Sequence, residues 1–241
     1  MVTMQPEGPP PFHLTVGELT GPLRGLLTWP RMARVLSRLP RGAGEPVVVL
    51  PGYRTSDSAT LLLRQALWML GYRAHGWGLG INHGDIGELV PEVVERFARI
   101  VEAERQPVRA IGWSAGGLLA RQATKEAPYL VDRIITMGTP VRGGPKFTVV
   151  GRRLQAQGHD VESYARIANA WNEVPVPVPV TAIYSRRDGV VHWAACVDER
   201  AEGVEHVEVD ATHTELPLSA QVLAVIAERL AADVSDRAEA A

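Results

Sequence analysis

Short runs of branched apolar residues alternate along the chain with longer segments in which apolar positions recur every three or four residues. VVVL at 47–50 is an uninterrupted β-branched run, as in a strand covered on both faces of a parallel sheet, and it stops at Pro51 and Gly52. Ser58 to Leu70 is leucine-rich at helical spacing and ends at Gly71, after which YRAHGWGLG supplies a short strand and a glycine-rich turn. There follow a helix from Val90 to Arg105, a strand from Val108 to Ile111, a helix from Ala115 towards Lys125 and a strand from Ile134 to Met137. This rhythm predicts an α/β fold with a mostly parallel central sheet. Right-handed crossovers place helices on both of its faces.

Residues 141–174 interrupt the rhythm. Their length and mixed polarity, with a helical stretch from Val161 to Trp171, predict an inserted excursion and not a connecting loop. PVPVPV at 175–180 leads as extended chain into a strand from Val180 to Ser185, and a last strand, Val204 to Val209, precedes a helix from Ser219 to Ala231. Prolines 6, 9, 10 and 11 make 1–12 a flexible tail, and 233–241 reads as a frayed one. Between Leu26 and Leu39 apolar residues at helical spacing are interleaved with Arg31, Arg34 and Arg38. This reads as a surface helix packed on the body, with peripheral membrane or partner contact as the alternative. No internal repeat is visible, and 241 residues suit a single domain spanning 1–241.

A formal net charge of -2 lacks the basic excess of a nucleic-acid binder. The lone Cys196 cannot form an internal disulfide, the start MVTMQPEGPPPF has neither a basic nor an apolar leader, and no apolar run approaches the ~20 residues that span a bilayer. Together these features lead to the expectation of a cytoplasmic protein. No metal or cofactor is implied: Gly76, Gly78 and Gly80 lack the helix start that a nucleotide fingerprint needs, and Cys196 reads as a small core residue.

Chemistry enters at Gly112-Trp113-Ser114-Ala115-Gly116, a G-x-S-x-G pattern placed where a strand ends and a helix begins. A serine in such a turn is strained so that its hydroxyl stands out of the sheet, with the amino end of the helix aimed at the site. The hydroxyl needs a base, and the base needs an orienting acid. Asp188, after the strand VTAIYS, is favoured as the acid over Asp198 in a solvated run and Asp210 close to the histidine. His213, in the loop DATHTELP, is favoured as the base over His192 and His206. The oxyanion donors are expected from the N–H groups of Ala115 and Tyr53, since Pro51 has none to offer.

GWSAGGLLARQATKEAPYLVDRIITMGTPVRGG resembles the lipase and esterase segment of the α/β-hydrolase superfamily, in which a serine elbow is followed one strand later by a Gly-Thr-Pro turn. LPGY, YSRRDGVV and THTELP extend the likeness to the oxyanion turn, the acid and the histidine. The resemblance implies hydrolysis of small-molecule or lipid-like esters through an acyl-enzyme. It also implies that 141–174 caps the site, with Phe147, Tyr164, Trp171 and Val174 forming an apolar acyl pocket. Many relatives have histidine where this chain has Trp113 and Pro51, and both departures reshape the pocket rim. Thioesterase or acyltransferase activity would use the same groups, and a non-catalytic binding protein on the same fold is the competing class.

Overall fold

A computed structural model describes residues 6, 8–21, 23–24, 32–198 and 203–239, excepting the side chains of residue 33 and of 233–239. Six strands, β1 (Pro46–Leu50), β2 (Arg73–Gly76), β3 (Val108–Trp113), β4 (Val131–Met137), β5 (Val180–Tyr184) and β6 (Val204–Glu208), form one sheet in the order β2-β1-β3-β4-β5-β6. Every pairing is parallel. The helices are α1 (Phe12–Gly17), α2 (Met32–Leu36), α3 (Leu61–Met69), α4 (Ile86–Glu104), α5 (Ala115–Glu126), α6 (Val149–Ala156), α7 (Val161–Glu173) and α8 (Ala220–Glu239).

Alternate residues of the strands serve opposite layers. Val47, Val49, Ile111, Ile135 and Met137 pack with Met32 of α2, Leu63 and Leu67 of α3 and Ile226 and Leu230 of α8. Val48, Leu50, Val108, Ala110 and Ile134 pack with Val93 and Phe97 of α4 and Leu119 of α5. Because strand side chains project alternately, a run such as VVVL feeds both cores, and each buried Val or Leu contributes ~1.5–3 kcal/mol. The chain leaves β1 for β2 on one side and returns to β3 on the other. The crevice at their carboxyl ends is therefore a topological switch point, the place where open α/β sheets bind ligands.

The elements differ from the sequence expectations at several points: β4 starts at Val131 and not Ile134, and α8 runs to Glu239 and not Ala231. Helix α4 starts at Ile86 and runs through Pro91, because Asp85 caps it by accepting from Glu88 N–H at 3.1 Å. Helix α6 had no counterpart in the sequence reading; Thr148 caps it by accepting from Gly151 N–H at 3.0 Å. Of the segment read as a helix over 26–39, residues 26–31 lie outside the described residues, and Met32–Leu36 is helical with Met32 and Leu36 buried. Residues 1–5, 7 and 240–241 of the two predicted tails also lie outside them. No helix among the described residues is long and apolar enough to cross a membrane.

Candidate active site

Ser114 lies between β3 and α5 with φ 55° and ψ −121°, a conformation that costs a non-glycine residue about 1–3 kcal/mol and must be held by its surroundings. Its N–H donates to Met137 O at 2.8 Å, and its carbonyl accepts from Gly117 N–H and from Thr139 Oγ1, both at 3.0 Å. A Cβ on Gly112 would lie 2.3 Å from Gly117 Cα, and one on Gly116 would lie 2.4 Å from Leu50 O. Only hydrogen fits at these two positions, so the glycines set how closely α5 approaches β1 and β3.

The turn after β1 rests against this bend: a Cβ on Gly52 would come within 3.3 Å of Ser114 Cβ. Buried Asn82 fixes the turn by donating from Nδ2 to Pro51 O at 2.8 Å and accepting from Arg54 N–H at 2.7 Å through its own carbonyl. Tyr53 and Ala115 line the same cavity as Ser114. As the first residue of α5, Ala115 has an N–H with no acceptor inside its helix, and the helix dipole adds positive potential there.

Asp188 stands in the turn after β5. Its Oδ1 accepts from Val190 N–H at 2.9 Å and Val191 N–H at 2.7 Å, while Oδ2 lies 2.6 Å from His213 Nδ1. Asp188 is 2% exposed and His213 4%. Gly138, in the Gly-Thr-Pro turn, has φ 57°, and a Cβ there would lie 2.9 Å from His213 Nδ1 and 3.0 Å from Asp188 Oδ2. That glycine leaves room for the pair. Burial alone would push the His213 imidazole down, but the charge of Asp188, its hydrogen bond and the charge of Glu18 outweigh burial and hold the imidazole above its usual range.

The rival groups have other partners. Asp198 Oδ2 is 3.4 Å from Arg121 Nη2, and Asp198 N–H donates to His206 Nε2 at 2.9 Å. Asp210 pairs with Arg187 at 2.8 Å, and His192 accepts from Ala194 N–H and stacks on Trp193.

A cavity of about 360 Å³ opens beside Ser114, walled by Ile86 and Leu118 from the body and by Val150, Leu154, Tyr164 and Trp171 from the 141–174 segment. Among the described residues its wall includes neither Trp113 nor Phe147. The indole of Trp113 lies against His213, with ring centroids 5.6 Å apart. Phe147 packs on Val191 and Cys196, with Lys146 Nζ 5.5 Å from its ring centroid. Val174 is exposed. The sequence reading gave no role to Asn82, Thr139 or Glu18. Asn82 and Thr139 lie beside glycine turns that could have drawn attention, whereas Glu18 gives no local signal.

No family model matches the chain. A pimeloyl-acyl-carrier-protein methyl ester esterase of Photobacterium profundum is 30% identical over 120 residues, covering 48% of this chain and 44% of that protein, so less than half of either is spanned. A metagenome-derived lipolytic enzyme superposes with a TM-score of 0.60 at 16% identity, covering 82% of this chain and 96% of its own. The mature Bacillus licheniformis lipase superposes with a TM-score of 0.57 at 16% identity, covering 82% and 92%. A 2-hydroxy-6-oxo-6-phenylhexa-2,4-dienoate hydrolase from a Rhodococcus strain gives 0.52 at 15%, covering 76% and 89%. Six parallel strands and these structural neighbours show that the chain has the α/β-hydrolase fold.

Proposed function

We propose that the chain is a serine hydrolase of carboxylic esters. The observation that carries this reading is the buried pair of Asp188 Oδ2 and His213 Nδ1 at 2.6 Å, at the same end of the sheet as a serine held at positive φ beside an apolar cavity. In the first half-reaction Ser114 Oγ attacks the ester carbonyl carbon while His213 Nε2 takes its proton. The tetrahedral oxyanion is held by the N–H groups of Tyr53 and Ala115, each worth ~3 kcal/mol in such sites. The imidazolium then protonates the departing alcohol, leaving an acyl ester on Ser114. In the second half-reaction His213 takes a proton from water, the hydroxide attacks the acyl carbon, and Ser114 leaves with its proton restored. Asp188 accepts from the His213 Nδ1–H, keeping the ring oriented and Nε2 free to accept.

The apolar cavity suits the acyl part of the substrate, and the name of the Photobacterium relative makes a methyl ester on a carrier-bound acyl chain one candidate. Residues 141–174 act as the cap that sets acyl length. The test is hydrolysis of a chain-length series of nitrophenyl esters, with a thioester alongside, by the wild type and by Ser114→Ala, His213→Ala and Trp171→Ala. The first two variants lose about 10³-fold or more in kcat. Trp171→Ala shifts the preferred acyl chain longer. Undiminished turnover in Ser114→Ala would sink the proposal, and tight ester binding without turnover by the wild type would favour the binding-protein reading.

A further inference from the structure

The loop that carries His213 and the turn that carries Asp188 are 25 residues apart in sequence, and both are anchored to one side chain from the far amino-terminal end. Glu18, 8% exposed, follows α1. Its Oε1 accepts from Gly189 N–H at 2.7 Å and from His213 N–H at 2.8 Å. Its Oε2 accepts from Thr214 N–H at 2.9 Å and from Thr214 Oγ1 at 2.8 Å. One carboxylate thus takes up the backbone donor of the residue after the acid, that of the base itself and that of the residue after the base.

The surrounding chain is shaped to seat it. A Cβ on Gly189 would lie 2.2 Å from Leu14 O, and Thr15 Oγ1 donates to Gly189 O at 2.9 Å. A Cβ on Gly21 would lie 2.2 Å from Thr212 Oγ1 and 2.6 Å from Thr214 Oγ1. Bare glycine on each side lets the segment 14–21 lie directly on the two loops. A buried carboxylate is costly unless its acceptor sites are filled, and here backbone and hydroxyl donors fill them.

We propose that Glu18 is a positioning residue that sets the spacing and alignment of Asp188 and His213 and adds negative potential at the imidazole. This rests on the reading of those two residues as catalytic acid and base. The other ionisable groups around His213 are few. Glu215 on its own loop accepts from Thr212 N–H, the Cys196 thiol within reach of Asp188 is pushed well up by burial, and Arg187 and Asp210 neutralise each other at the surface. Among the described residues, Glu18 is the carboxylate besides Asp188 whose charge acts on the imidazole.

The test compares wild type with Glu18→Gln, which keeps one acceptor oxygen but removes the charge, and with Gly21→Ala, which keeps the charged carboxylate but displaces the segment that carries it. The readouts are the pH profile of kcat/KM with nitrophenyl butyrate and the titration of the His213 ring by NMR. Glu18→Gln is expected to lower kcat about tenfold with KM within twofold, because the misplaced pair affects the chemical step and not the acyl pocket. It should also move the acid limb, and the NMR titration with it, down by about half a unit or more. Gly21→Ala should lower kcat with a smaller shift of the limb. Loss of melting temperature with an unchanged pH profile and kcat would reduce Glu18 to a structural tie and overturn the proposal. If the wild type turns over no ester, the hydrolase reading falls. The NMR titration then decides alone, an unmoved His213 overturning the role of Glu18 and a shifted one keeping it.

Discussion

Trp113 donates its indole N–H to the backbone carbonyl of His213 at 3.2 Å, so the residue before Ser114 holds the loop that carries the imidazole. Replacing it with Phe keeps an aromatic ring but removes the bond and the second ring of the indole, leaving a buried carbonyl without that donor and a small cavity beside it. Trp113→Phe should cost ~1–3 kcal/mol in urea unfolding and lower kcat more than it changes KM. Unchanged stability together with unchanged kcat would show that the bond does not hold the loop.

In the proposed mechanism His213 must be neutral to take the Ser114 proton, and its imidazole is held above its usual range. The acid limb of kcat/KM should therefore fall at a pH above about 6.5, the ordinary histidine value. Stability runs the other way. The native state binds this proton more tightly than the unfolded chain, so the contribution is full below about 6.5 and is lost as pH rises through the raised value. Asp188→Asn removes the main cause of the upward shift and should move the limb down while lowering kcat by about 10⁴-fold. A limb that stays in place would show that Asp188 does not set it.

Gly116 faces backbone, not a yielding side chain, at 2.4 Å from Leu50 O. Gly116→Ala should cost more than the ~1–3 kcal/mol of ordinary overpacking, or prevent folding. Gly87, in the first turn of α4 with only Asp85 Oδ1 at 3.6 Å from a new Cβ, is the control, and Gly87→Ala should stabilise by up to ~1 kcal/mol. Thermal or urea unfolding of both variants checks the contrast, which equal effects would contradict.

Asp198 separates stability from chemistry. Its ion pair with Arg121 is buried, both side chains being under 5% exposed, and Arg121 Nη2 also donates to Asn172 Oδ1 at 2.9 Å near the end of α7. Among the described residues, Asp198→Ala leaves the buried guanidinium with that amide oxygen alone. The variant should lose about 3 kcal/mol or more while keeping kcat within a few-fold at temperatures where it stays folded. A loss of kcat as large as that of Asp188→Asn would make Asp198 the acid.

What could be read in the chain was what local chemistry dictates. VVVL, the helical leucine spacing and G-W-S-A-G each announce themselves within a few residues, because parallel strands, amphipathic helices and a cramped serine turn impose their demands on neighbours in sequence. The cavity wall was harder. Phe147 has the bulk of a pocket residue, yet the brief α6 puts Val150 and Leu154 at the cavity, and a two-turn helix leaves too short a period to see. Glu18 could not be seen at all: a charged residue in a helical stretch reads as solvated, and its partners lie 171 to 196 positions away.

In the proposed mechanism Ser114 is a nucleophile activated by His213 and Asp188. Intact-mass analysis with peptide mapping after exposure to a fluorophosphonate measures it most directly. The expected result is a single adduct on Ser114, absent in Ser114→Ala and formed far more slowly in His213→Ala. Folded wild-type protein that takes up no reagent, or an adduct that persists in Ser114→Ala, would contradict it.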